Sequence, residues 1–600
     1  MAAEIEKFSV FDPRIIQTRP KYSVDKGALS VSNVSFQAQT ADSSSCQFNV
    51  QVPSENVFVD RAVEWNGVQA ATVVLTLTAG TLAGAVIEGG TSLQGLVAPA
   101  AFPLHQAVSQ MSATINDATV TVNTQDVLPQ VLRLADVRDA RRQRTCPTML
   151  DRYVKYPDSR VVKNSPLQTW AETTESDTVP NGGFNGFYYS SAANGGSPVD
   201  VTNPAQVVAG TGVTFVYGQP TLTESLASGQ SRAVTLYVVW NSVEKLLLPP
   251  FIFSDQHEMS TGLFGVQNFQ VQMNLVSSPA RALRVSTATT LPMSLAVAPY
   301  SSLGWVSGSV ALTSVAWASG AFAGMWVTKP TLSVQFLTPS LDVPLPPKSI
   351  VPYMEFPRYI AVPGTPVARS VSLSTAGVDL QSQTITLPNI PDLLLIFVKP
   401  AAYTDASNGD WSLPITNISM NFDNFSGLMS TITQEQLFEM SQRNGVDMDW
   451  SEWSGYGALP LSGAGSTQGG VRGLVGGPLV LKPGVDFPLS TGQASGLVGN
   501  FTLQFNLKVQ NFTGLILDGE MTGGSLTPGH GPSVNIYTVP ISSGFFETIK
   551  GSSRIIKGVL TEQDILSAPA QAPSSELKRP VGAAMPRQGG AARGGMASYM

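Results

Sequence analysis

Cysteine, histidine and charge are all scarce in this chain. Two cysteines in 600 residues, Cys46 and Cys146, exclude a scaffold built on disulfides. Three histidines, His105, His257 and His530, leave little room for histidine-based metal or acid–base chemistry. Charged residues make up 13% and hydrophobic ones 43%, the reverse of the balance in a disordered chain. Lys+Arg 35 against Asp+Glu 42 gives a net charge of −7, so the body of the chain is not built as a general nucleic-acid binder. The opening residues MAAEIEKFSV hold no basic segment followed by an apolar run, and no secretory signal is expected. The sequons at Asn33, Asn417, Asn424, Asn500 and Asn511 are then read as chance.

Long hydrophobic runs are absent too, with one candidate. No charge occurs between Arg284 and Lys329, and Val310 to Val327 is long enough to span a bilayer. Ser, Thr and Gly interrupt it and no second such segment exists, so buried or contact-forming strands are expected there.

Glycine (54) and proline (42) are plentiful, which argues against a helical solenoid and for many short strands joined by turns. The length calls for at least two domains. Period-two alternation is widespread. Phe48, Val50 and Val52 alternate with Gln47, Asn49 and Gln51; Val57, Val59, Arg61, Val63 and Trp65 share a face; Thr72 to Thr78 is apolar and Thr-rich. Phe269, Val271, Met273 and Leu275 alternate with amides, as do Phe501, Leu503, Phe505, Leu507 and Val509. The polar sides are amides and hydroxyls more often than charges, as on surfaces that meet protein. Two helices are predicted. One covers 434–444, with a Thr433/Gln436 capping box and Gly445 as its stop. The other covers about 126–134, with Asp126 as cap and Pro129 in the first turn.

The chain repeats itself. Asn268-Phe-Gln-Val-Gln-Met-Asn-Leu275 matches Asn500-Phe-Thr-Leu-Gln-Phe-Asn-Leu507, and each copy follows a short amphipathic helix. The first half is longer, and the turn-dense stretch 135–210 is the expected insertion. The expected organisation is an N-terminal arm (1–24), a first β-sandwich (25–339), a Pro-rich linker (340–365), a second β-sandwich (366–548) and a C-terminal extension (549–600), disordered after about 567.

No motif points to catalysis. Gly463-Ala-Gly-Ser-Thr-Gln-Gly-Gly470 lacks the Gly-Lys-Ser/Thr ending of a phosphate cradle and reads as a surface loop. His257 has no partner in sequence and reads as a solvated loop histidine. Cys46 and Cys146 read as small buried hydrophobes. Asp447, Asp449 and Glu452 could serve a glycosidase but cluster in one loop without an opposing partner. The basic cluster Arg133, Arg138, Arg141, Arg142 and Arg144, diluted by Asp136 and Asp139, fits a helix C-terminus or salt bridges between subunits better than phosphate binding. In the tail, Lys578, Arg579, Arg587 and Arg593 are the candidate nucleic-acid contacts.

In order along the chain stand Ala118-Thr-Val-Thr-Val-Asn-Thr-Gln-Asp-Val-Leu-Pro-Gln-Val-Leu-Arg133, Cys146-Pro-Thr-Met-Leu-Asp151, Leu247-Leu-Pro-Pro-Phe251 and Phe264-Gly-Val-Gln-Asn268. In the second half stand Ile390-Pro-Asp-Leu-Leu-Leu-Ile-Phe-Val398, Met429 to Gly445, Gly544-Phe-Phe546 and Gly551-Ser-Ser-Arg554. With these, residues 25 to 566 resemble the double-jelly-roll, hexon-like major capsid proteins of the polinton-like, adintovirus-like and virophage group. The resemblance implies an all-β fold of two tandem jelly rolls with a few short helices and long loops. It also implies homotrimers that tile an icosahedral shell around DNA, with penton and minor capsid proteins as further partners. No cofactor, no metal and no small-molecule substrate are implied, and the place is the virion. A β-sandwich adhesin or lectin is the alternative.

Overall fold

The structure is a computed structural model that describes most of residues 30–558; the longest stretches outside the described residues are 135–144, 155–183, 253–261, 460–469 and 513–532. In the first half the main elements are β1 (Ser30–Gln37), β2 (Ser45–Gln51), β3 (Glu64–Ala79), β4 (Val108–Ile115), β5 (Ala118–Val122) and α1 (Thr124–Val131). Then come β6 (Phe184–Ser191), β7 (Ser231–Lys245), β8 (Asn268–Leu275), β9 (Gly304–Trp317) and β10 (Trp326–Thr338). The second half has β11 (Ser349–Glu355), β12 (Val378–Gln381), β13 (Ile385–Asn389), β14 (Leu393–Pro400), β15 (Ile415–Phe422), β16 (Phe425–Leu428), α2 (Gln434–Arg443) and α3 (Trp450–Ser454). It closes with β17 (Leu479–Leu481), β18 (Val498–Val509), β19 (Val534–Ile549) and β20 (Ser552–Lys557).

The topology follows from the pairing. In the first half one sheet runs β1-β10-β3-β7 and the facing one β2-β8-β4-β5, all antiparallel. In the second half the corresponding orders are β11-β19-β14-β17 and β12/β13-β18-β15-β16. Both interleave early and late strands in the same jelly-roll order. The repeated octapeptides β8 and the core of β18 occupy one equivalent position, the inner strand of the facing sheet. Alternation explains the burial: Phe269, Val271 and Met273 face the core beside Val50, Phe48 and Cys46 of β2. The outward rows of that sheet, such as Gln47–Gln272–Ser112–Thr121, are uncharged.

The charge-free stretch contains strand β9, and among the described residues no helix is long and apolar enough to cross a membrane. Helix α2 has its predicted capping box, Gln436 Oε1 accepting from Thr433 N–H at 3.1 Å, and Gly445 follows at φ 108°. Helix α1 differs from expectation. It starts at Thr124 with Asn123 as N-cap, Asp126 lies in its first turn, and Pro129 falls further inside. The hairpin β4–β5 ends at Val122 and turns straight into the helix, which sets the start earlier than side-chain capping preference does.

Two stretches placed outside the two sandwiches are strands. Ser349–Glu355, placed in the linker, pairs with β19, and its Pro352 is tolerated because β11 is an edge strand. Ser552–Lys557, placed in the extension, pairs back on the end of β19. The added length of the first half is not confined to 135–210. β3 (16 residues) and β7 (15 residues) run past the sandwich. Their far ends join β6 and β9 around a separate core containing Val73, Leu75, Val234, Leu236, Leu283, Val285 and Tyr189.

Candidate functional site

The two sandwiches share one continuous apolar core, and beside it lies a seam of buried charge. The seam is threaded by residues 148–152 and Val154, where the chain leaves the first half and crosses onto the second. Val475 N–H donates to Arg152 C=O at 3.1 Å, and Gly409 N–H to Val154 C=O at 2.7 Å. Asp151 is the centre. Its carboxylate accepts Arg284 Nε at 3.0 Å and Nη2 at 2.6 Å, and also the backbone N–H of Asp410 at 2.8 Å. Asp410 in turn meets Lys399 Nζ at 3.0 Å and Arg281 at 4.0 Å. Asp151 C=O accepts Arg133 Nη2 at 2.9 Å, and Arg133 Nη1 reaches Glu452 Oε1 at 3.0 Å. All but Glu452 among these side chains are buried. Short irregular backbone carries Asp151 and Asp410, while Lys399 comes from β14 and Glu452 from α3. The sequence folds so because Asp449 caps α3, accepting from Glu452 N–H at 2.8 Å.

Desolvation is the largest influence on Lys399 and pushes its ammonium down to about 8, with Arg281 and Arg133 adding to the fall and Asp410 opposing it. Removing either member of such a buried pair strands its partner's charge.

A second junction lies at the other end. The turn of the β4–β5 hairpin, Asn116-Asp117, grips the β19–β20 turn. Asn116 Nδ2 donates to Ser553 Oγ at 2.9 Å, and Ser552 Oγ donates to Asp117 at 3.0 Å. Gly551 N–H donates to Gly265 C=O at 2.8 Å, and Thr548 Oγ1 to Phe264 C=O at 2.6 Å. The hydrogen bonds from Ser553 and Ser552 hold the Asp117 carboxyl below the usual carboxylate range.

Each sequence candidate has a place against this geometry. Arg133 is an ion-pair partner inside one chain, not a phosphate ligand; Arg138, Arg141, Arg142 and Arg144 lie outside the described residues. Asp449 and Glu452 pair with Arg152 and Arg133, and Asp447 N–H donates to Arg133 C=O at 2.9 Å, so the loop acids belong to the seam. Cys46 and Cys146 are free thiols and buried, and burial pushes the Cys46 thiol up to about 12. His105 is a core residue. Its Nε2 accepts Leu247 N–H at 3.2 Å, which leaves Nδ1–H to donate to Glu244 at 2.5 Å. His257, His530, most of the 463–470 glycine loop, and Lys578, Arg579, Arg587 and Arg593 lie outside the described residues. Sequence reading missed Asp151, Arg281, Arg284, Lys399 and Asp410. The available signal was Lys399 ending the apolar run Leu393-Leu-Leu-Ile-Phe-Val398.

The family model of the Sputnik virophage major capsid protein, first domain, matches residues 3–337. The chain belongs to that family. The model of the major capsid protein V20 C-terminal domain matches residues 356–522. A putative capsid protein V20 of Sputnik virophage is 23% identical over 578 residues, covering 94% of this chain and 82% of that one. A chain of the Sputnik virophage cryo-EM structure superposes with a TM-score of 0.63 at 21% identity, covering 95% and 97% of the two chains. The mavirus major capsid protein crystal structure gives 0.58 at 13% identity, covering 95% and 100%. This family member is a major capsid protein, a structural component of the virion; its relatives are capsid proteins, not adhesins.

Proposed function

We propose that three copies of the chain form a homotrimer with a pseudo-hexagonal outline, and that these trimers tile an icosahedral shell around DNA. The carrying observation is the duplicated jelly roll fixed by a buried seam, so one chain supplies two similar wedges at a set angle and three chains supply six. Such wedges fill a hexagonal outline with one gene product. Penton and minor capsid proteins complete the shell, and Lys578, Arg579, Arg587 and Arg593 touch the packaged DNA. The role is mechanical, without catalysis, cofactor or small-molecule substrate. The place of action is the virion.

Light scattering on the purified protein tests this. The expected mass is about three times the 63.4 kDa chain across a wide dilution range. A folded, concentration-independent monomer overturns it.

A further inference from the structure

Where β3 and β7 run past the first sandwich, one side of the sheet covers the separate core and the other faces outward. The outward residues form rows across the strands. Ala311, Thr76 and Ala233 stand side by side, then Ser314, Val74 and Thr235, then Ala316, Thr72 and Tyr237. None is charged, and Ala311, Ser314, Ala316 and Ala233 are exposed in the single chain. A solvated sheet face ordinarily carries charges that keep it soluble and unpaired. Here the hydroxyls satisfy one another instead: Thr76 and Thr313 lie 2.8 Å apart, and Thr78 and Ser231 also 2.8 Å. Covering such a face strands few polar groups, so its desolvation costs little. Small side chains also let another surface approach closely.

We propose that this outward face of β9, β3 and β7 is the surface on which a second copy of the chain docks within the homotrimer. The inference rests on the trimer reading above and adds the location of the contact. The rows lack any cation, which disfavours nucleic acid or an anionic lipid surface. Three strands about 4.8 Å apart and seven residues at about 3.4 Å give roughly 340 Å² per copy. That is a little under half of the roughly 800 Å² per partner of a standard interface, so the face is large enough to anchor a contact that other surfaces complete. The extension belongs to the first half alone, so it meets a different surface of the neighbour, as closure around a threefold axis requires.

The test adds like charges to the face. In Ala233→Glu with Ala316→Glu, the folded protein is expected to lose trimer mass in light scattering, with at least about tenfold weaker association by dilution. Wild type run alongside separates the two readings. A monomeric wild type overturns the trimer itself, whereas a trimeric wild type with an equally stable trimeric variant overturns only the placement of the contact. Should the charged variant misfold, Ala316→Cys decides. Both natural thiols are buried, so this one would be the accessible thiol among the described residues. Its maleimide labelling is expected to be at least about tenfold slower in the trimer than after dissociation; equal rates overturn the proposal.

Discussion

The two jelly rolls share a plan and differ in what hangs from it. Their equivalent hairpins turn through Asn116-Asp117 and Asp423-Asn424, and in each the first turn residue has a positive φ, 55° and 50°. Each hairpin then feeds a helix, α1 or α2. Yet the first half's β7 has 15 residues where the second half's β17 has 3. The short version suffices to close a sandwich, so the longer strands are additions that carry their own core. A jelly roll therefore separates two jobs: its inner strands fix the block, and its connections are free to grow.

The sharpest way to break the pairing of the halves is at Asp151. Asp151→Ala leaves Arg284 buried beside a vacated partner and is expected to cost about 3–5 kcal/mol. Urea unfolding followed by tryptophan fluorescence should turn from one transition into two as the halves uncouple. The double variant Asp151→Leu with Arg284→Met removes the stranded cation and should recover part of the loss, but not the bond from Asp410 N–H across the halves; a single-variant cost below about 1 kcal/mol would show that the apolar core alone joins the halves.

The helices test how alike the two plans are. Leu437 and Val127 are fully buried on α2 and α1. Leu437→Ala should cost about 2–4 kcal/mol, and Val127→Ala about 2 kcal/mol. Thermal melts that leave the midpoint unchanged for Leu437→Ala would contradict the shared role.

Lys399 gives a pH-dependent difference of about 1–3 kcal/mol. Its folded pKa of about 8 lies below the ordinary 10.5, so between these values the unfolded chain binds the extra proton. Stability relative to Lys399→Met should then rise with pH through that window and be flat below it. A difference that falls with pH would reverse the assignment. The smallest effect concerns caps. Thr433→Ala should lose about 1 kcal/mol, whereas Asn123→Ala should lose a few tenths, since Asn123 makes no side-chain capping bond.

The legible parts of this fold were those with a local period. β2, β8 and β18 alternate strictly because each has one face in a core and one outside, and α2 carries its start and stop within a dozen residues. β11 was hidden by Pro352, which only an edge position allows. The seam was illegible for a different reason. Asp151 and Asp410 are 259 residues apart, and nothing in either neighbourhood encodes the other. Arg133 stood out as part of a basic cluster, but its partner Glu452 is 319 residues away, so sequence showed the charge without its use. The outward amides of β8 were correctly uncharged, yet alternation alone cannot tell a face awaiting protein from one facing water.

The grip of Asn116 on Ser553 joins residues 437 positions apart. During synthesis at about 5–20 residues per second, Asn116 must wait roughly 20–90 seconds for that partner to emerge. Throughout that delay its hairpin turn is an open socket. Closure of the socket comes only once the last strands of the second jelly roll have emerged, so the two halves are joined at this end last.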